Sequence, residues 1–125
     1  MRKVVLVTGG SRGIGAATCV LAAQKGWDVA VNYTSNAKAA DDVVQQVKAA
    51  GGRAIAVQAD VADEGQVLAM FQKVRAELGP LQGLVNNAGV GTAVPATRET
   101  PEQFRSVLDV NLFGAYWMAQ AFAKA

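Results

Sequence analysis

The chain has 125 residues, 51% of them hydrophobic, and its 12 Lys and Arg against 10 Asp and Glu leave a formal charge of +2. That length supports one domain with a real core, and charges that nearly cancel and are dispersed along the chain exclude a basic nucleic-acid-binding stripe. There is no histidine and only one cysteine, Cys19, so an intrachain disulfide is ruled out and no cluster of ligands for a catalytic metal is expected.

The N-terminus enters an apolar run directly, without a charged lead into a long apolar segment. A secretory signal is therefore not expected, and a reducing cytoplasm is the default compartment. The first strand spans about Lys3 to Thr8. Thr8-Gly9-Gly10-Ser11-Arg12-Gly13-Ile14-Gly15 follows and opens an alanine-rich helix from about Gly13 to Lys25, stopped by Gly26. Strand, glycine turn and helix in this order make a phosphate cradle. Glycines 9, 13 and 15 permit positive φ or close backbone approach, and the unpaired N–H groups and positive end of the helix face an anion. Cys19 falls on this helix and reads as a small buried thiol. A second apolar run, about Asp28 to Tyr33, completes a βαβ unit.

The next helix, roughly Ala37 to Ala50, places Ala40, Val43, Val44, Val47 and Ala50 on one stripe and ends at Gly51-Gly52. A third strand spans about Ala54 to Gln58. The helix beginning near Asp63, with Gln66 at the capping-box position, carries Val67, Met70, Phe71, Val74 and Leu78 at helical spacing until Gly79-Pro80. A fourth strand, about Gly83 to Asn87, leads into an irregular loop with Gly89, Gly91 and Pro95. Thr100-Pro101-Glu102-Gln103 then starts a last helix: threonine caps, proline occupies the first turn, and glutamine can cap back. On it Phe104, Val107, Leu108, Asn111, Leu112, Ala115, Ala119 and Phe122 trace one stripe, with Asn111 the polar interruption.

Strands that are apolar runs, alternating with helices, imply an α/β fold: a doubly wound parallel sheet covered on both faces. Right-handed crossovers give the order 3-2-1-4, and the reversal between strands 1 and 4 opens a crevice at their C-terminal ends. The glycine turn, Tyr33, Asp60 and Asn86 to Gly89 all fall at that edge.

The glycine spacing is Thr-Gly-x-x-x-Gly-x-Gly. With Asp60-Val61 after the third strand, Asn86-Asn87-Ala88-Gly89 after the fourth and Asn111 in a later helix, the chain resembles the N-terminal half of the short-chain dehydrogenase/reductase family. The resemblance runs over residues 2 to 125. It implies a Rossmann-like nucleotide-binding portion, residues 1–125, of a single-domain oxidoreductase that moves hydride between a nicotinamide cofactor and a small carbonyl or secondary alcohol. The cofactor set expected is Gly9, Ser11, Arg12, Gly13, Ile14 and Gly15 at the turn, Asn32, Tyr33 and Ser35 after the second strand, Asp60 and Val61 after the third, and Asn87, Ala88 and Gly89 after the fourth. Where an NAD enzyme places an acid to hold the ribose 2'-hydroxyl, this chain has Asn32 and Tyr33. No carboxylate repels a 2'-phosphate there, and Arg12 offers a positive fork to pair with one. NADP(H) is therefore expected, with NAD as the alternative.

Asp60 would accept from the adenine amino group, with Val61 flanking the ring; an ordinary loop or capping aspartate is the competing reading. Asn86 would tie the fourth strand to its neighbours while Asn87, Ala88 and Gly89 pass the ribose. In the family the asparagine matching Asn111 distorts its helix and holds a water linked to the catalytic lysine, which makes Asn111 the one catalytic candidate; a satisfied core asparagine bonded to a backbone carbonyl or water is the alternative. Beyond Asn111 the helix is apolar almost all round, too short to span a bilayer, and in the family this helix often forms a dimer interface. A homo-oligomer, dimer or tetramer, is expected, and neither nucleic acid nor membrane.

The chain departs from the family in one respect. Tyr33 is followed four positions later by Ala37 and Tyr116 by Gln120, so the Tyr-x-x-x-Lys pair that would carry acid/base catalysis does not occur. As written, the chain is expected to bind without turning over, and a truncated or autonomous nucleotide-binding module is the alternative to an oxidoreductase.

Overall fold

The computed structural model describes residues 2–125. Its elements are β1 Lys3–Val7, α1 Gly13–Gln24, β2 Trp27–Tyr33, α2 Ala37–Ala49, β3 Ala54–Gln58, α3 Glu64–Leu78, β4 Gly83–Val85, α4 Pro101–Leu108, a π-helical segment Asp109–Gly114, and α5 Ala115–Lys124. The four strands form one parallel sheet in the order β3-β2-β1-β4, as the alternating pattern and crossover rule require. Val5 of β1 lies between Val29 of β2 and Gly83 of β4, which sets the register.

Successive strand residues point to opposite faces, so an unbroken apolar run supplies two cores. Val4, Leu6, Ala30 and Val57 face Val67, Met70, Phe71, Val74 and Leu78 of α3 and Met118 and Ala121 of α5. Val5, Val7, Val29, Val31 and Ala54 face Cys19 and Ala23 of α1 and Ala40, Val43, Val44 and Val47 of α2. Cys19 is fully buried, and burial pushes its thiol up to about 12, so it packs and does not react. Among the described residues no helix is long and apolar enough to cross a membrane.

Helix starts follow from side-chain caps. Asn36 accepts from Ala39 N–H, and Thr100 with Gln103 closes a complete capping box behind Pro101. The box expected at Asp63 is only half made. Asp63 accepts from Gln66 N–H, but the Gln66 side-chain oxygen turns away to accept from Asp60 N–H at 2.8 Å. The loop before α3 thereby gains a bond that the capping pattern does not foresee.

The stripe expected on the last helix is displaced. Phe104 and Leu112 are more than half exposed, whereas Gly114, Met118 and Ala121 are buried, with Val110 packed beside them. The stripe lies one residue earlier than a period of 3.6 places it, so Val110, Gly114, Met118 and Ala121 take the places assigned to Asn111, Ala115, Ala119 and Phe122. Gly114 is the contact that needs this rotation: a Cβ there would lie 2.6 Å from Val61 Cγ2.

The N-terminal end of the sheet is locked by Asp28. Its buried carboxylate accepts from Arg2 Nε at 2.9 Å, Arg53 N at 2.9 Å and Arg53 Nε at 3.0 Å. The two guanidinium groups reach on to the carbonyls of Trp27 and Leu78, so one acid joins β2 and β3 to the ends of α1 and α3. Burial alone would raise its pKa, but the bonds from Arg53 and Arg2 outweigh it and hold the carboxyl below the usual range. A depressed folded pKa contributes stability that is present above the unfolded value of about 4 and is lost as pH falls through the folded value. Asp28→Asn is expected to cost about 1–3 kcal/mol at pH 7 and to flatten the acid limb of stability below about pH 4. Urea midpoints across that range check it, and an unchanged acid limb contradicts the assignment.

Candidate functional site

The first crossover is shaped by three glycines acting in two ways. Gly9 and Gly13 sit at φ +61° and +57°, a region that costs other residues about 1–2 kcal/mol. Gly15 has ordinary helical dihedrals, but a Cβ on it would lie 2.2 Å from Gly9 O and 2.6 Å from Asn87 Nδ2. The chain therefore folds tightly back on itself where α1 begins. Arg12, extended at φ −157°, precedes the helix and supplies no side-chain cap. Among the described residues, the N–H groups of Ser11, Arg12, Gly13, Ile14 and Gly15 donate to nothing, the next one, Ala16, bonding Arg12 O. A row of free donors at the positive end of a helix is suited to receive an anion.

Two amides, buried Asn32 and half-buried Asn87, hold that turn from opposite sides. Asn32 Oδ1 accepts from Gly9 N–H at 3.2 Å, and Asn32 O accepts from Gly10 N–H at 2.8 Å. Asn87 Nδ2 donates to Thr8 O at 3.1 Å and Gly9 O at 3.2 Å. Thr8, fully buried, adds a hydroxyl that accepts from Asn87 N–H and Ala88 N–H, each at 2.9 Å, and lies 3.3 Å from Val85 O. The role of Thr8 is not legible in the sequence beyond its place at the strand end, where a buried hydroxyl needs partners.

The remaining expected residues divide by exposure. Arg12 is exposed and outside both ion pairs found among the described residues, Arg2 and Arg53 having taken Asp28. Ile14 is 80% exposed at the mouth of the turn. Ser11, Tyr33 and Asp60 are half-buried, Ser35 is exposed, and Gln58 Nε2 bonds Thr34 O at 2.9 Å to hold the loop after β2 to the end of β3. Asp60 uses one oxygen to receive Ala62 N–H at 2.9 Å, and its other oxygen has no protein partner among the described residues. The loop-turn reading of Asp60 and the acceptor reading are thus both compatible with its geometry.

Three expectations change. Val61 does not present its side chain for a flat ring; it is 4% exposed and packed in the core against Gly114. Asn32 does not reach outward either, being 1% exposed with its amide spent on Gly9, Val57 and Ala59. The division of labour between the paired asparagines is also different: Asn87 ties β4 to the glycine turn, while exposed Asn86 donates to Ala115 O at 2.9 Å and so fastens the strand to α5. An adjacent pair cannot both point along the sheet, because neighbouring side chains leave on opposite sides.

Asn111 lies within the π-helical segment, the distortion that the resemblance implies. It is exposed, not the buried amide expected, and it is fully engaged: Val90 N–H donates to its Oδ1 at 2.8 Å and its Nδ2 donates to Val90 O at 2.9 Å. A two-point clasp of this kind imitates a strand pair and holds the loop after β4. Gly89, Val90 and Asn111 are so brought together across 21 residues between bonded partners. Among the described residues no three His, Cys, Asp or Glu side chains gather as a metal site.

Gly15→Ala is expected to destabilise by about 2 kcal/mol or more, since the new methyl meets the backbone of Gly9 as well as the Asn87 amide. Gly13→Ala meets nothing within 4 Å and is expected to cost about 1–2 kcal/mol through its dihedrals alone. Denaturant unfolding of the two variants gives the order, and a Gly15→Ala variant as stable as the native chain contradicts this geometry.

A family model described as short chain dehydrogenase matches residues 3–125. The uncharacterized oxidoreductase YgfF of Escherichia coli is 47% identical over 122 residues, which are 97% of this chain and 49% of that protein. A 3-oxoacyl-[acyl-carrier-protein] reductase of Staphylococcus aureus is 41% identical over 116 residues, 93% of this chain and 47% of the reductase. Among solved structures, a double mutant of a Serratia marcescens short-chain dehydrogenase/reductase superposes with a TM-score of 0.92 at 36% identity, covering 98% of this chain and 50% of that one. A short-chain type dehydrogenase/reductase of Mycobacterium marinum gives 0.93 at 32% identity, with 98% and 49% covered. The chain spans about half the length of the curated relatives it matches.

Proposed function

This chain belongs to the short-chain dehydrogenase family, and from that premise we propose that residues 1–125 are the dinucleotide-binding portion of a single-domain, NADP(H)-dependent oxidoreductase acting on a small carbonyl or secondary alcohol. The observation that carries the reading is the run of unpartnered N–H groups from Ser11 to Gly15, flanked by an unpaired Arg12 and with no carboxylate at the end of β2. Enzymes of the family use NAD(H) or NADP(H), and the likeness to a 3-oxoacyl-[acyl-carrier-protein] reductase supports carbonyl reduction.

Each residue then has a task. The turn amides and the positive end of α1 hold the pyrophosphate. Arg12 pairs as a fork with the 2'-phosphate, and Tyr33 and Ser35 complete that end of the crevice. The free oxygen of Asp60 accepts from the adenine amino group, and Asn87, Ala88 and Gly89 border the ribose. When bound, the nicotinamide carries the hydride. Asn111, its side chain committed to Val90, serves proton transfer by holding the widened helix and the loop after β4 in place.

This sequence contains no Tyr-x-x-x-Lys to serve as the acid/base pair for that transfer. That same observation favours a second reading, a nucleotide-binding module without turnover. NADPH titration followed by a turnover assay separates the two: binding with turnover only when a following segment is present supports the oxidoreductase, and binding without turnover in the whole protein supports the module.

The apolar face of Phe104, Leu112, Phe113 and Tyr116, each about half exposed, is in this reading covered by the remainder of the protein and by a second copy in a homo-oligomer, and the cytoplasm is its compartment. Neither nucleic acid nor membrane is part of the reading.

Arg12→Ala is expected to weaken NADPH by about 10- to 100-fold, as loss of a charge-assisted contact does, while NADH changes by less than about 3-fold. Fluorescence titration with both nucleotides checks it, and equal losses would sink the 2'-phosphate assignment.

A further inference from the structure

The turn and the adenine-side loop leave different strands, and one residue touches both. Asn32 occupies β2 after Val29, Ala30 and Val31, where any apolar residue would satisfy the core. A buried amide in that place is costly unless all its groups are used, and here they are. The oxygen takes Gly9 N–H at 3.2 Å, and the nitrogen donates to Val57 O at 3.3 Å and Ala59 O at 3.1 Å. The backbone oxygen of the same residue takes Gly10 N–H at 2.8 Å.

Two consequences follow from which atom faces which. With Gly9 and Gly10 N–H turned back onto β2, the amides that remain free begin at Ser11 and form one uninterrupted run to Gly15. With the carbonyls of Val57 and Ala59 held from the other end of the amide, the chain leaves β3 at a fixed angle straight into Asp60. Resting on the dinucleotide reading above, we infer that Asn32 is a positioning residue for the cofactor: without touching the ligand, it sets the pyrophosphate turn and the Asp60 loop at their mutual spacing. A hydrophobic side chain can make neither bond. A carboxylate makes the first but turns an oxygen without a proton toward two carbonyl oxygens.

That asymmetry supplies a test that simple loss of stability does not imitate. Asn32→Asp keeps the shape; ionised, it repels Val57 O and Ala59 O, while protonated, its O–H donates to Ala59 O and its other oxygen keeps Gly9 N–H. Burial and the two facing carbonyls favour the protonated form. The charged groups at this end of the elements that touch Asn32 are Arg12 and Asp60, and the sequence has no histidine to titrate in the same window.

Calorimetric titration with NADP+, and with NAD+ as a ligand lacking the 2'-phosphate, is expected to show the variant at least about 10-fold weaker than the native protein at pH 8, with the ratio falling within about 3-fold by pH 5.5. A variant that binds as the native protein does at pH 8, or whose deficit is the same at both pH values, overturns the inference. Amide exchange on the native protein decides the matter should the variant not fold: Gly9 and Gly10 are expected to exchange at least about 100-fold more slowly than Gly13 and Ile14 in the free protein, and equal rates overturn it. Native protein that binds neither nucleotide removes the dinucleotide reading and this inference with it; native binding with an unaffected variant removes the inference alone.

Discussion

The glycine turn after β1 exists because it is gripped by two amides of opposite sense. Asn32 takes its N–H groups from the β2 side, and Asn87 gives hydrogen bonds to its carbonyls from the β4 side. A turn with positive φ at two glycines has little conformational preference of its own, so without those bonds its backbone would sample several arrangements. With them, the N–H groups of Gly9 and Gly10 and the carbonyls of Thr8 and Gly9 are paired, and the N–H groups from Ser11 to Gly15 are left free. The candidate anion site is what is left over after the fold has taken the hydrogen bonds it needs.

The same economy places the rest of the crevice. Thr8 and Asn87 lock the C-terminal end of β1 to β4, Gln58 and Ala59 lock β3 to the loop after β2, and Asn111 locks the loop after β4 to the π-helical segment. Each loop at this edge is therefore held by a side chain from another element, which is how loops gain the rigidity that a binding site requires. At the opposite end of the sheet the lock is electrostatic: buried Asp28 with Arg2 and Arg53. The ties at the candidate-site edge are neutral amides and hydroxyls, which leave the positive end of α1 uncancelled by any fully buried acid there.

The two faces of the sheet are closed to different degrees. On one, α1 and α2 cover the strands; on the other, α3 and α5 cover β1, β2 and β3, while β4 at the sheet edge stays half-buried and α4 has its main packing with the π-helical segment. The exposed Phe104, Leu112, Phe113 and Tyr116 belong to this open side.

The sequence by itself determined the parallel sheet, its order, the three strand-to-helix crossovers and the glycine turn after the first strand. These depend on local signals: apolar runs, glycine spacing, helix caps and the handedness of crossovers, all readable within about a dozen residues. What only the tertiary structure decided was the destination of particular side chains. Val61 went to the core because Gly114 left room for it, Asn32 went inward because two strand ends needed one donor and one acceptor, and both paired asparagines became ties, Asn86 to α5 and Asn87 to the glycine turn. The stripe beyond Leu108 lies one residue earlier than the 3.6 period places it, because Gly114 is the residue that fits against Val61. In each case the deciding partner lies far along the chain, so the pairing has no local signal, and it is settled only when burial forces every polar group to find a mate.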